Sequence, residues 1–67
     1  MTNTLKIKRA IAKISQDELA KKVGVSRQTI NAIESNRFVP STVLAFKLSR
    51  LFNKSVNEIF QLEASDE

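Results

Sequence analysis

Ser15-Gln16-Asp17-Glu18-Leu19-Ala20-Lys21-Lys22-Val23-Gly24-Val25-Ser26-Arg27-Gln28-Thr29-Ile30-Asn31-Ala32-Ile33-Glu34 is the stretch that decides how the rest of the chain is read. It opens on Ser15 and carries Glu18 three residues later, the pattern of a capping box. In such a box the hydroxyl and the carboxylate each satisfy an orphan backbone N–H. This predicts a helix from Gln16 to about Val23, with Leu19, Ala20 and Val23 on one face. Gly24 follows. It is the only glycine in the chain, and it sits where a helix would end in a left-handed residue. Two residues later Ser26 is placed to cap a second helix, from Arg27 to about Glu34.

Two short helices joined by a turn of this length, with Gly in the turn, form a helix-turn-helix. At about 100° per residue, Ile30 and Ile33 mark the buried face of the second helix. Gln28 and Ser35 point away from them, flanked by Arg27, Asn31 and Ala32. An ordinary solvated face favours Lys and Glu, whereas this one is amide-rich and holds no acid. Arg forks to O6 and N7 of guanine, and Gln or Asn to N6 and N7 of adenine. Ala32 is small enough to let the helix sit deep in a groove. Arg27, Gln28 and Asn31 are therefore the expected base readers. Ser26 and Ser35 are added as phosphate or shape contacts. Glu34 falls between the outward face and the Ile30 edge, and a buried carboxylate needs a partner. Arg9 is the expected partner, the alternative being a solvated Glu34 with none.

Composition narrows the function. Sixty-seven residues make one small domain with a marginal core. It is expected to span 1–67, with its core over 5–60 and an acidic tail over 61–67. There is no Cys, His, Tyr or Trp. Thiol chemistry is thereby removed, along with the commonest general base and metal ligand. No carboxylate pair suggests a catalytic cleft, so no enzyme, cofactor or metal site is expected. No small-molecule ligand is apparent either. No membrane-spanning run or signal peptide appears, so a cytoplasmic protein is the default. The net charge is +4, but residues 1–54 hold eleven bases against three acids, +8, and residues 55–67 hold four acids and no base, −4. A basic body with an acidic end fits a polyanion bound on one part of the surface. Charge alone leaves an unpartnered basic surface equally open.

The remaining segments follow the same logic. Met1 to Thr4 either frays or forms a brief strand. A first helix runs from Leu5 to about Lys13, with Leu5, Ile11 and Ala12 as inward positions. Ser35 to Pro40 is a loop in which Phe38 is read as packed. Ser41 caps a helix over 42–52, where Leu44, Leu48 and Leu51 repeat at core spacing and Asn53 ends it in the left-handed region. Ser55 with Glu58 is a second capping box. It opens a short helix through Val56, Ile59 and Phe60. Phe60 to Glu63 alternates and is able to pair with the N-terminus.

These residues resemble the phage repressor and Cro group, the Cro/C1-type or XRE family of DNA-binding domains. The matching pieces are Ile14-Ser15-Gln16 with Leu19-Ala20, Gly24-Val25-Ser26, Arg27-Gln28-Thr29-Ile30, Ile33-Glu34, Pro40-Ser41 and Asn57-Glu58-Ile59-Phe60. The resemblance implies an all-α fold, a five-helix bundle like that of lambda repressor, which usually binds DNA as a dimer. It implies that Gln16 bonds a phosphate, that Thr29 meets phosphate or a thymine methyl, and that Asn36 and Arg37 clamp the backbone. It also implies a buried Arg9–Glu34 pair. Two positions depart from the family. Lys13 stands where many members place Gly, and Ala32 where some carry a long reading side chain.

The expected function is sequence-specific binding of double-stranded DNA by a homodimer on a palindromic operator, most simply as a repressor. Ile59 and Leu62 are the expected dimer seam. The alternatives are an antitoxin or other interaction module that also binds its own promoter, with the acidic tail as contact, and coating of DNA without selectivity.

Overall fold

Four helices of this protein begin on a serine, and the side chain of each does the same work. The computed structural model describes residues 1–67. Helix α1 spans Leu5–Ala12, α2 Gln16–Val23, α3 Arg27–Glu34, α4 Thr42–Phe52 and α5 Val56–Ile59. The hydroxyls of Ser15, Ser26, Ser41 and Ser55 accept the N–H of the third residue of α2, α3, α4 and α5. Glu18 and Glu58 return a carboxylate to the Ser15 and Ser55 N–H, each at 3.1 Å, so both capping boxes form. Hydrogen bonds from the Ser55 backbone N–H and then its side chain hold the Glu58 carboxyl below the ordinary glutamate range.

Helix ends are set by left-handed residues: Lys13 (φ 59°), Gly24 (φ 77°), Asn36 (φ 62°) and Asn53 (φ 53°). Gly24 and Asn53 fall where the sequence placed them. At Asn36 the chain closes α3, with the Asn36 N–H on the Ile33 carbonyl and the Arg37 N–H on the Ala32 carbonyl. Lys13 adopts a conformation that costs a side-chain-bearing residue about 1–2 kcal/mol. The expected result of Lys13→Gly is a gain of roughly 0.5–1 kcal/mol, the relieved strain less the added chain entropy. Thermal melts should show a rise of a few degrees, and a fall would mean that the Lys13 side chain stabilises the fold by a contact of its own.

Ten residues from all five helices and the segment after α5 form the core: Leu5, Leu19, Ala20, Val23, Ile30, Ile33, Leu44, Leu48, Ile59 and Phe60. Strand β1 (Thr2–Asn3) pairs antiparallel with β2 (Phe60–Gln61), in the register Thr2 with Gln61 and Asn3 with Phe60. The termini are thus joined, and a single 3-10 turn, Ala64–Asp66, follows. The Met1 amine reaches Asp66 at 2.8 Å and Glu63 at 2.9 Å.

Several expectations about burial are corrected. Ile11 is 73 % exposed. Leu5 is the one buried residue of α1, and Ile11 lies about 120° away from it on the helix. Ala12 shares Leu5's side but projects past the core, beside Leu51 and Phe52, and is exposed. Leu51, at the far end of α4, is 38 % exposed, and Phe38 is 48 % exposed on the loop. Ile59 is completely buried, so it closes the protomer's own core and offers nothing to a seam, while Leu62 is exposed. The fifth helix stops at Ile59, and Phe60 belongs to β2.

Candidate nucleic-acid interface

Helix α3 turns Ile30 and Ile33 fully into the core. That burial fixes its rotation, and everything else about the interface follows. Arg27, Gln28 and Asn31 emerge exposed on the other side. With Ala32 and Arg37 they line one shallow depression. The three expected base readers therefore share one surface, and no acidic side chain lines it. At the N-terminus of α3, the Ser26 hydroxyl takes the Thr29 N–H at 3.1 Å and lies 2.9 Å from the Thr29 hydroxyl. Thr29 is half-buried by this arrangement.

Glu34, at the end of α3, is held in an ion pair. Arg9 Nε donates to Glu34 Oε2 at 2.8 Å, and Arg9 Nη2 donates to Oε1 at 3.2 Å. The remaining fork, Nη1, donates to the Ile14 carbonyl at 3.1 Å. The Glu34 side chain is only 6 % exposed. Hydrogen bonding to Glu34 pushes the Arg9 guanidinium above its ordinary range, against the desolvation that lowers it. Gln16 Nε2 donates to Glu34 Oε1 at 3.0 Å. The start of α2 is thereby locked to the end of α3. No buried side-chain nitrogen or oxygen lacks a partner.

The residues after α3 are more engaged than sequence reasoning anticipated. Ser35 donates its hydroxyl to the Asn31 and Ala32 carbonyls, at 3.0 and 3.2 Å. Its oxygen accepts Arg37 Nε at 2.9 Å, and Arg37 Nη2 donates to Asn31 Oδ1 at 2.9 Å. Arg37 therefore folds back over α3. Asn36 turns towards β1, where its Oδ1 accepts from Asn3 Nδ2 at 3.0 Å. Asn3 also donates to the Ile33 carbonyl at 2.8 Å, capping the end of α3. Asn3 was missed. The only signal in the sequence was the short polar N-terminus itself, which carries no helical periodicity.

A two-helix unit with this capping, this buried pair and this outward face has an identifiable kin. A helix-turn-helix family model matches residues 5–59. The chain belongs to the Cro/C1-type helix-turn-helix family of DNA-binding regulators. An uncharacterized HTH-type transcriptional regulator of Methanocaldococcus jannaschii is 49 % identical over 63 residues, covering 94 % of this chain and 96 % of the relative. The uncharacterized HTH-type transcriptional regulator YgzD of Bacillus subtilis is 43 % identical, with the same coverage of both chains. The ImmF control region 10 kDa protein of Bacillus phage phi105 is 34 % identical over 59 residues, 88 % of this chain and 66 % of that one. The match spans α1 to α5, so all five helices lie within it. No helix is long and apolar enough to cross a membrane.

Proposed function

We propose that the chain is a repressor that binds a palindromic operator as a homodimer, with α3 of each protomer in a major groove. The observation that carries this reading is the acid-free outward face of α3, where Arg27, Gln28 and Asn31 stand together. Arg27 opens the helix, and the N-terminal residues of a recognition helix are the ones that meet base edges. Arg27 reads guanine and Gln28 adenine, each by a pair of hydrogen bonds. Gln16, Ser26 and Thr29 supply phosphate contacts that set position and salt dependence, whereas Asn36 is turned towards β1. The phi105 relative is named for a phage control region, which supports a regulatory role for this chain.

The second copy has a place to sit. Met1, Val39, Pro40, Thr42, Ala45, Phe46, Val56 and Phe60 line the only one of the five main surface depressions without a Lys or Arg side chain. Val39 and Phe46 are each 63 % exposed there. Two protomers of charge +4 repel one another over most of their surfaces, and least at this apolar face. An antitoxin role through the acidic tail has weaker support, because the Met1 amine already engages Glu63 and Asp66.

The test is selection of preferred sites from random duplex DNA at two salt concentrations. A two-fold symmetric consensus with half-sites about one turn apart is the expected result. A lone asymmetric half-site would overturn the dimer. Binding that fades with salt and enriches nothing would overturn sequence readout altogether.

A further inference from the structure

The contact between Arg37 and Asn31 restricts what α3 is able to read. Arg has five N–H donors and no acceptor. The atom of the Asn31 amide that faces Arg37 Nη2, at 2.9 Å, is therefore the oxygen, and the Asn31 NH2 is turned the other way. Arg37 is itself held in place by its Nε bond to the Ser35 hydroxyl. That hydroxyl is fixed in turn by donating to the Asn31 and Ala32 carbonyls. The left-handed turn at Asn36 brings the chain back over α3 and makes the reach possible. All five of these residues lie within a span of seven, and both Asn31 and Arg37 line the depression that also holds Arg27 and Gln28.

We infer that Arg37 and Asn31 form a single reading unit that offers only hydrogen-bond donors to the groove and selects guanine over adenine at the base pair it meets. The inference rests on the placing of α3 in the major groove. An asparagine free of other contacts reads adenine by accepting from N6 while donating to N7. Here Oδ1 is already occupied by a cation, which repels the adenine amino group. What faces outward is the Asn31 NH2, together with the guanidinium N–H groups not bound to Ser35 or Asn31. Guanine presents two acceptors, N7 and O6, and no donor at that edge, so it complements this set. Arg37 is accordingly a specificity-determining residue as well as a positive charge beside the backbone.

Site selection from random duplex DNA, run on the wild-type chain, Arg37→Met, Asn31→Ala and the double variant, tests this. Circular dichroism and thermal melts confirm that each variant is folded. Wild type should enrich guanine in each half-site at a position besides the one that Arg27 reads, and that position is identified as the one that responds to Asn31→Ala. Arg37→Met frees Oδ1, so the guanine-to-adenine preference at that position should fall by roughly tenfold or more, with the other positions unchanged. Asn31→Ala should abolish the preference there, and adding Arg37→Met to it should change nothing further at that position. An unchanged consensus in Arg37→Met, with affinity lowered alike for all sequences, would reduce Arg37 to a phosphate clamp and overturn the inference. Adenine at that position in the wild type would overturn it as well. Both of those outcomes leave the operator-binding reading intact, whereas no enrichment at any position in the wild type would remove the two together.

Discussion

Arg9→Met is expected to cost about 3–5 kcal/mol, which is most of what a 67-residue domain has, roughly 3–10 kcal/mol in all. The reason lies in what is left behind. Glu34 closes α3, where the helix dipole is already negative, and its side chain is 6 % exposed. Without Arg9 it would keep one hydrogen bond, from Gln16, and no compensating charge. Arg9 would also leave the Ile14 carbonyl, and with it the corner between α1 and α2. The pair is too enclosed for solvent to screen as it screens exposed bridges. Denaturant titration should show the midpoint falling sharply at an unchanged slope. Exchanging both partners, Arg9→Met with Glu34→Leu, should recover much of the loss, since a buried pair replaced by apolar groups of similar volume is often neutral. A loss below about 1 kcal/mol for the single variant would class the pair with ordinary surface bridges and remove its role as the lock between α1 and α3.

What the sequence disclosed was mostly local. Ser15 with Glu18 and Ser55 with Glu58 are separated by three residues, and the box they form is complete within one helical turn. Gly24 and Asn53 announce helix ends by residue type alone. The outward face of α3 was legible because Ile30 and Ile33 leave only one rotation that buries both. The Arg9–Glu34 pair was reached over a separation of 25 residues only because burial of Glu34 demanded a cation. Helix α1 was less legible. Leu5, Ile7, Ile11 and Ala12 offer more apolar positions than one face holds, and only tertiary placement decides that Leu5 goes in while Ile7 and Ile11 stay 58 % and 73 % exposed. Phe38 failed for a related reason, as the burial of a loop aromatic depends on the path of the loop. The folding back of Arg37 was hidden too, because it needs the left-handed turn at Asn36. Ser35-Asn36-Arg37 by itself reads only as a polar loop.

Arg27→Ala should have the largest effect on function, because the proposed palindromic operator would count it twice. One base-edge contact of this kind is worth about 1–3 kcal/mol, so a symmetric operator should lose about 2–6 kcal/mol, roughly thirtyfold to twenty-thousandfold in affinity. Binding to random DNA should change little, since affinity there comes from the phosphate contacts. Fold stability should be untouched, as Arg27 is exposed and makes no hydrogen bond that α3 depends on. Titrations of operator and random duplexes at matched salt separate these effects. A hybrid operator, with the Arg27 base pair altered in one half-site only, adds the test of symmetry. For two equivalent protomers the wild-type chain should lose half the free energy on the hybrid that it loses on the fully altered site, so the fold-change on the hybrid is the square root of the fold-change on the full site. A hybrid as weak as the full site, or as strong as the intact one, would mean that the two half-sites are not read alike and that the two-fold arrangement is wrong. Equal losses on operator and random DNA would instead assign Arg27 to the phosphates and leave Gln28 and Asn31 as the readers.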